Sequence, residues 1–383
     1  MSKMTSINGE IIRWAREQSN VGIQQVAKRV QKDVSVVYAW ERGEDFPTYG
    51  QLEKLADCLK KPLAIFFLPT PPELPDLKAS YRTLPEFVFD SLSHHVIRVM
   101  NRVRALQLNL YELHDGVNPA RELLIEQRTC RDIRVMAKEI REFMGITLEQ
   151  QQQQASTRDA LEMWRDCLWE HGIYVFKDSF SDNSISGFCL YDEVFPVICL
   201  NNSMSFTRQI FTLFHELFHL VSGTSGIDKL SDDYFRYLSE EQLDVEAACN
   251  AFAAEFLVPD LEFNKELDNV AQITEEFAED MARKYHVSRE VIMRKLLNRN
   301  LISQTLYENR RQTYIEEAIR AQHRKSESNG GNPYYTRISY LGRGYLNLVF
   351  SKYERAQIDV FQLADYTRTR IEHLGKLRAH WQR

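Results

Sequence analysis

Two histidines and a glutamate occur in the pattern HELFH at residues 215–219. On an α-helix, residues four apart lie on one face, so His215 and His219 can both reach one metal ion. Zinc lowers the pKa of a bound water to about 7 and polarises a peptide carbonyl. Glu216, between the two histidines, would take the proton of that water and pass it to the leaving amine. The alternative is a chance HExxH pattern that holds ordinary core histidines.

The helix that carries this pattern is predicted to span about 205–222 and to be buried, because it is apolar almost all round. Its apolar residues are Ile210, Phe211, Leu213, Phe214, Leu217, Phe218, Leu220 and Val221. Two histidines and a glutamate in such a helix lose hydration, and a bound cation offsets that cost. We therefore expect zinc at this site, and since nitrogen and oxygen ligands accept either ion, manganese also fits.

A third ligand is expected from a second helix, which begins with a capping box of Ser239 and Gln242 and ends near Leu257. Glu246 lies among the apolar positions of this helix, 27 residues after His219. Two histidines and one glutamate leave the fourth zinc position open for water, which is the catalytic and not the structural arrangement. The pattern thus predicts a gluzincin-like zinc metalloendopeptidase.

Other residues near these ligands have roles that stay open. Asp244 and Glu255 are rival ligands on the second helix, although both lie nearer to polar stretches. Asn250, one turn after Glu246, is a candidate to hydrogen-bond one of the ligands from outside the centre. Three residues qualify by type alone as the oxyanion stabiliser: Tyr234, Tyr237 and His286.

The segment before the metal helix is predicted to form a small sheet. Three short runs, at 173–176, 185–191 and 196–201, are rich in β-branched and aromatic residues. Asp, Asn, Ser and Gly separate them, which is typical of strands. The run at 185–191 comes shortly before the metal helix, and we expect it to pair with an extended substrate as an added strand.

Residues 155–300 resemble the ImmA/IrrE family of metallopeptidases. The resemblance rests on ISGF (185–188), PVICLN (196–201), FTLFHELFHL (211–220) and EAACNAFAAEFLVP (246–259), in the family's order. It implies that His215, His219 and Glu246 are zinc ligands and that Glu216 is the catalytic acid/base. Cys249 and Asn250 stand where the family often has Ala and Asn. Members of the family cleave or control helix-turn-helix repressors encoded nearby.

The amino-terminal segment has the pattern of two short packed helices. Gly22 begins the first, Asp33 is placed to cap the second, and WERGEDFPTYGQLEKLADCL (40–59) follows. Residues 7–68 therefore resemble an Xre-type, lambda-repressor-like helix-turn-helix domain. The turn Gln31-Lys32-Asp33 departs from the family because it lacks the usual Gly at its start.

In a helix-turn-helix domain the second helix enters the major groove with its N-terminal end first. Seven residues are predicted to contact operator DNA: Gln24, Lys28, Lys32, Ser35, Val36, Tyr38 and Arg42. Palindromic operators usually require a dimer, so we expect a homodimer. The alternative is a helix-turn-helix domain that makes protein contacts.

The net charge of −6 is a sum of unlike segments. Residues 231–280 hold 15 acids against two bases, whereas residues 301–383 carry 14 bases and eight acids. No apolar run approaches the ~20 residues that span a bilayer. The six cysteines form no CxxC pair and the start shows no secretory signal, so we expect free thiols in a reducing cytoplasm.

These observations predict a mainly α protein of four segments. They are a five-helix helix-turn-helix domain (1–70), a linker and helical connector (71–154), a zincin-like α+β metallopeptidase domain with a small sheet (155–300), and a helical carboxy-terminal extension (301–383). We expect a cytoplasmic DNA-binding regulator that cleaves a regulatory protein, either a partner repressor encoded nearby or itself. The alternative is a non-proteolytic repressor or antitoxin of a toxin–antitoxin or phage-defence system. In that case the metal domain serves sensing or protein contact.

Overall fold

The computed structural model describes residues 3–4, 7–19, 21–59, 61–72, 92–126, 132–229, 238–270, 272–327 and 331–382. The chain divides into two compact units, Met1–Arg102 and Val103–Arg383. The chain is mainly helical, with one small sheet, as the sequence predicts. Among the described residues, no helix is both long and apolar enough to cross a bilayer.

The first unit contains the helix-turn-helix domain, built from four α-helices and a short 3₁₀ helix. They are α1 (Gly9–Gln18), α2 (Ile23–Val30), α3 (Val34–Glu41), α4 (Tyr49–Leu59) and the 3₁₀ helix Leu63–Phe67. Apolar faces of all five pack around the fully buried Trp40 and Val37 of α3. This packing fixes α3 against the rest of the domain, so its remaining face is turned to solvent.

The turn between α2 and α3 forms without the usual glycine. Gln31 takes the left-handed conformation, with φ of 56°, which a non-glycine residue adopts only at some cost in strain. Asp33 occupies the N-cap of α3 as predicted, but its side chain makes no capping hydrogen bond. The geometry of the turn therefore comes from packing of the two helices and not from its local sequence.

One ion pair ties the first helix of this domain to the end of α3. The guanidinium of Arg16 donates to both carboxylate oxygens of Glu41, at 2.6 and 3.1 Å. The Glu41 side chain is 2% exposed and that of Arg16 is 18% exposed. The glutamate of the WERG sequence thus has a structural partner inside the domain.

Helix α5 (His94–Leu113) contains the boundary between the two units. The second unit continues with thirteen helices among its described residues. They are α6 (Ile133–Met144), α7 (Leu148–Gln152), α8 (Thr157–Glu170), α9 (Phe206–Val221), α10 (Glu240–Leu257), α11 (Asp260–Asp268), α12 (Glu275–Tyr285), α13 (Arg289–Asn298), α14 (Gln304–Glu327), α15 (Pro333–Leu341), α16 (Arg343–Glu354), α17 (Val360–Tyr366) and α18 (Ile371–Trp381). A 3₁₀ turn, Leu124–Glu126, precedes α6.

The sheet has four strands in the order β1-β3-β2-β4. They are β1 (Tyr174–Asp178), β2 (Ile185–Leu190), β3 (Val197–Asn201) and β4 (Ile227–Lys229). β1 and β3 are parallel, whereas β2 is antiparallel to both β3 and β4. The sequence predicts the first three strands but not β4. The expectation that β2 receives a substrate strand is wrong, because β4 already occupies that edge of β2.

Helices α9 and α10 pack against each other and form the core of the second unit. Phe214 of α9 stacks on Phe256 of α10 with ring centroids 4.2 Å apart, and Trp164 of α8 meets both rings edge-on. A Cβ on Gly187 of β2 would lie 2.6 Å from Cγ2 of Thr212 on α9, so only glycine allows this approach. The sheet and α10 therefore hold α9 from two sides.

The helices after α14 pack on the first strand of the sheet and on α8. The buried guanidinium of Arg165 donates to the carbonyls of Val175 and Ser339, at 2.9 and 3.0 Å. Tyr366 donates a hydrogen bond of 2.8 Å to Glu112 of α5. The carboxy-terminal segment is thus joined to this unit at β1, the sheet edge opposite β4.

Candidate metal centre

Helices α9 and α10 bring the three predicted ligands together. Nε2 of His215 lies 3.2 Å from Oε2 of Glu246, and Nε2 of His219 lies 3.7 Å from Oε1 of the same carboxylate. All three residues are buried. Ser205 caps α9, and the predicted capping box of Ser239 and Gln242 begins α10. These caps fix the residue at which each helix starts.

The other ring nitrogen of each histidine faces a hydrogen-bonding side chain. Nδ1 of His215 lies 3.2 Å from Oδ1 of Asn250, the residue expected outside the centre. Nδ1 of His219 lies 3.3 Å from Oγ1 of Thr224, whose hydroxyl donates to the His219 carbonyl. Because both oxygens can accept, each Nδ1 donates, and Nε2 is the ring nitrogen that faces the centre. Such outer contacts orient histidines that bind metals.

Glu216 points one carboxylate oxygen at the backbone and leaves the other without a hydrogen bond. The backbone N–H of Asp228 donates to Oε1 at 3.0 Å. Oε2 is buried and has no hydrogen-bond partner among the described residues. Burial raises the pKa of Glu216 to about 8, although the neighbouring His215 lowers it. The carboxylate is therefore positioned by one oxygen and open to a proton at the other.

Asp228 on β4 is a buried residue of the site, and it is not among the residues predicted from the sequence. Arg208 of α9 donates two hydrogen bonds to its carboxylate, at 2.8 and 2.6 Å, and Thr212 donates a third at 2.8 Å. Burial raises the pKa of Asp228, but the charges of Arg208 and His215, together with the hydrogen bonds from Thr212 and Arg208, lower that pKa below its usual value. An ionised carboxylate therefore lies beside the histidines, on a strand too short for its pattern to be recognised.

The carboxylates around the centre act differently on the two histidines. Burial lowers the pKa of His215, but the charges of Asp228 and Glu246 outweigh burial and raise it to about 9. Burial and the neighbouring His215 lower the pKa of His219 to about 4. Without a cation, His215 thus carries an additional proton beside buried carboxylates. A divalent ion would replace that proton and neutralise the same negative charge.

The donor set and its surroundings fit such an ion. Nε2 of His215 is buried and lies 3.2 Å from the Glu246 carboxylate, in a geometry that does not satisfy a hydrogen bond. A Cβ on Gly226 would lie 2.3 Å from Cδ2 of His219, so the backbone before β4 approaches this ring as only glycine can. Two imidazoles and a carboxylate are a common zinc set. The arrangement can therefore hold zinc, with Glu216 next to it.

The thiol of Cys249 also belongs to this cluster, although it is not among the ligands predicted from the sequence. Sγ of Cys249 lies 3.4 Å from Nε2 of His219. Ligand atoms of His215, His219 and Cys249 all lie within 4.8 Å of one another. Burial and the carboxylates of Glu246 and Glu216 raise the pKa of this thiol. Cys249 lies three residues after Glu246, on the same face of the helix, and this spacing could have indicated a further ligand.

The rival ligands face other partners. Asp244 is exposed on α10. Glu255 accepts a hydrogen bond of 3.2 Å from Lys295 and another of 2.9 Å from the backbone of Asp260. His286 ends α12, with Nδ1 3.4 Å from Oγ1 of Thr157. Two candidates for oxyanion stabiliser lie outside the described residues: Tyr234 and Tyr237.

In the first unit, six of the seven predicted DNA contacts are exposed: Gln24, Lys28, Lys32, Ser35, Tyr38 and Arg42. Val36 differs, because it is half-buried and packs against the domain core. Arg42 donates two hydrogen bonds of 2.7 Å to Glu44, so contact with a phosphate would require it to leave that partner. The exposed side chains lie on α2, on α3 and directly beside them.

Comparison with known families matches two separate segments. Residues 12–66 match the helix-turn-helix family, and residues 169–297 match the IrrE N-terminal-like domain, a peptidase M78 family. The second match includes α9, α10 and β4, and so contains the whole cluster described above. No curated protein matches the chain. The chain thus joins an amino-terminal helix-turn-helix domain to an IrrE/ImmA-like peptidase-type domain.

Proposed function

We propose that this protein is a DNA-binding regulator whose second domain is a zinc-dependent endopeptidase. The observation that carries the proposal is the convergence of Glu246 on His215 and His219, with Glu216 beside them and one of its oxygens free. A purely structural zinc site has no use for a buried carboxylate in that place. The two family matches lie inside the proposed domains at 1–70 and 155–300, with a connector between them and an extension after them.

In this proposal His215, His219 and Glu246 hold the ion. Zinc, when bound, supplies a Lewis acid that polarises the peptide carbonyl and makes water a nucleophile at neutral pH. Asn250 and Thr224 keep the imidazoles in the tautomer that leaves Nε2 free. Each of these residues therefore has either a binding role or an orienting role.

Glu216 moves the proton. The backbone N–H of Asp228 holds Oε1, so Oε2 is the atom that accepts a proton from the attacking water. The same oxygen returns that proton to the amine of the broken peptide bond. Arg208 and Thr212 hold Asp228 through its side chain and so keep its N–H in place.

The proposed substrate is a regulatory protein, either a helix-turn-helix repressor encoded nearby or this chain itself. We expect the zinc-loaded protein to cut at least one of the repressors encoded beside its gene into fragments detectable by mass spectrometry. Removal of the metal with a chelator should stop cleavage, and added zinc should restore it. Manganese in place of zinc tests which ion the reaction accepts. Cleavage that persists in the metal-free protein would contradict a zinc-dependent reaction.

One observation favours a second candidate, a non-proteolytic repressor or antitoxin that uses the metal domain for sensing or protein contact. Cys249 lies where it could complete four protein ligands, and zinc sites closed by four protein ligands are usually structural. Under this alternative, the zinc-loaded protein would leave every neighbouring repressor intact but would still bind DNA. A toxin–antitoxin or phage-defence role belongs with this candidate.

For the first domain we propose binding of a homodimer to operator DNA, which places the protein in the cytoplasm. Lys28 and Lys32 are exposed and are proposed to meet phosphates. Each such contact adds about one to the slope of log affinity against log salt. The double change Lys28→Ala and Lys32→Ala should therefore lower the slope for the gene's upstream region by about two for each bound chain.

The matched control for this prediction is Lys54→Ala, because Lys54 is exposed on α4, outside the helix-turn-helix pair α2 and α3. Its salt slope should equal that of the unchanged protein. An equal loss of slope in the control and the double variant would remove the assigned DNA face.

A further inference from the structure

The buried thiol of Cys249 shares the space of the three proposed ligands. It lies on α10 one turn after Glu246, and its Sγ is 3.4 Å from Nε2 of His219. Nδ1 of His219 is already engaged with Thr224, so the thiol meets the nitrogen that is free to bind a metal. A sulfur in this position faces the proposed metal-binding atoms and not merely the hydrophobic core.

Three distances within the cluster agree with those between neighbouring ligands of a tetrahedral ion. Zinc–nitrogen, zinc–oxygen and zinc–sulfur bonds of about 2.0–2.3 Å place neighbouring ligand atoms about 3.2–3.8 Å apart. The two distances from Glu246 to the histidines are 3.2 and 3.7 Å, and that from Cys249 to His219 is 3.4 Å. All three fall in this range, and ligand atoms of His215, His219 and Cys249 lie within 4.8 Å of one another, so the sulfur is placed beside the histidine nitrogens.

The buried thiol of Cys189, which lies nearby, is hydrogen-bonded to the backbone and serves as a comparison for Cys249. Sγ of Cys189 on β2 accepts the N–H of Gly226 at 3.2 Å and contacts the Thr224 carbonyl at 3.9 Å. These two contacts are with peptide groups of the segment before β4, and the thiol also interacts with the Glu216 carboxylate. Cys249 has an imidazole nitrogen as its partner instead, so the two residues form a matched pair for experiment.

We infer that Cys249 is a fourth protein ligand in the resting state and that, together with His215, His219 and Glu246, it closes the metal site. The inference rests on the proposed metal centre. Binding forms one metal–sulfur bond and releases the thiol proton to solvent. To admit a substrate, Cys249 would have to leave the ion and take up a proton, which requires α10 or the Cys249 side chain to move. The resting site is therefore closed, and a bound substrate has to displace the sulfur before cleavage begins.

Cobalt in place of zinc provides a direct probe, because a thiolate ligand gives Co²⁺ a charge-transfer band in the near ultraviolet. We expect the full-length protein loaded with Co²⁺ to show this band. Both Cys249→Ser and Cys249→Ala should lose it while still binding cobalt, whereas Cys189→Ala should keep it. Far-ultraviolet circular dichroism establishes that each variant is folded, and the spectrum of the unchanged protein is informative without any variant.

Zinc affinity gives a second readout that does not depend on activity. In competition with a chromophoric chelator, Cys249→Ala should bind zinc at least about tenfold more weakly, since even the loss of an outer contact costs that much. Cys189→Ala should stay within about threefold of the unchanged protein, because it removes no ligand.

Failure of the inference and failure of the metal centre give different results. If cobalt binds and His215→Ala removes it, but the sulfur band is absent, Cys249 is not a ligand and the three-ligand centre stands. If the unchanged protein takes up no cobalt, or His215→Ala leaves uptake intact, the centre itself is wrong and the inference falls with it. A band that persists in Cys249→Ala but disappears in Cys189→Ala would assign the sulfur to the other residue.

Discussion

Replacing His215 by alanine is expected to abolish stoichiometric zinc binding. Two nitrogen ligands one helical turn apart define the centre, and removal of one leaves an incomplete set around a buried carboxylate. At free zinc about a thousand times its Kd, the unchanged protein should gain about 4 kcal/mol in free energy of unfolding, and the variant should gain almost none. Zinc per chain after dialysis, and unfolding with and without zinc, measure the two effects.

A suitable control is His373→Ala, because His373 is part-exposed on α18 and contacts Tyr334. This change should alter neither the zinc content nor the zinc-dependent stabilisation of the protein. If His215→Ala keeps about one zinc per chain under the same conditions, the assignment of this ligand fails.

Glu41→Ala is expected to destabilise the helix-turn-helix domain by about 3 kcal/mol, because loss of one partner leaves the other charge of a buried pair uncompensated. Arg16 would lose a bidentate partner and keep only its weaker contact with Glu17, at 3.5 Å. We place the effect at the lower end of the range for buried pairs, since Arg16 is 18% exposed. A loss of this size is large for a domain of some sixty residues. Faster amide hydrogen exchange in α1 and α3 of the full-length protein, with weaker DNA binding, is the measurement.

The matched change for this prediction is Glu44→Ala. Glu44 also pairs with an arginine through two hydrogen bonds, but both partners are exposed. Surface pairs contribute at most about 1 kcal/mol, so exchange in α1 and α3 should hardly change. Equal effects of the two substitutions would show that burial of the Arg16–Glu41 pair does not matter to the domain.

The sequence predicted the parts of the site that depend on local pattern. His215 and His219 are four apart on an apolar helix, so their common face follows from helical geometry alone. The second helix begins at the predicted capping box, because Ser239 and Gln242 satisfy backbone groups within one turn. The position of Glu246 opposite the histidines follows from its place among apolar residues of α10, because those residues face α9.

The parts that the sequence did not predict depend on contacts between distant segments. β4 has three residues, too few for a period of two to be recognised, and Asp228 comes with it. The need for glycine at position 226 arises from the ring of His219, which no local pattern reveals. Val36 is among the predicted DNA contacts, but it packs partly against the core of the domain. The exposed face of α3 is therefore narrower than the sequence predicts.

Cleavage by the zinc-loaded Glu216→Gln variant, measured beside the unchanged protein, tests the central claim most directly. Glutamine keeps the size of the side chain and an oxygen for the Asp228 N–H, but it cannot carry a proton. The metal ligands are untouched, so both proteins should hold about one zinc and unfold alike. The proposed mechanism predicts that cleavage of a neighbouring repressor falls at least about 100-fold in the variant, since general acid–base catalysis is lost. Equal cleavage by the two proteins would contradict it.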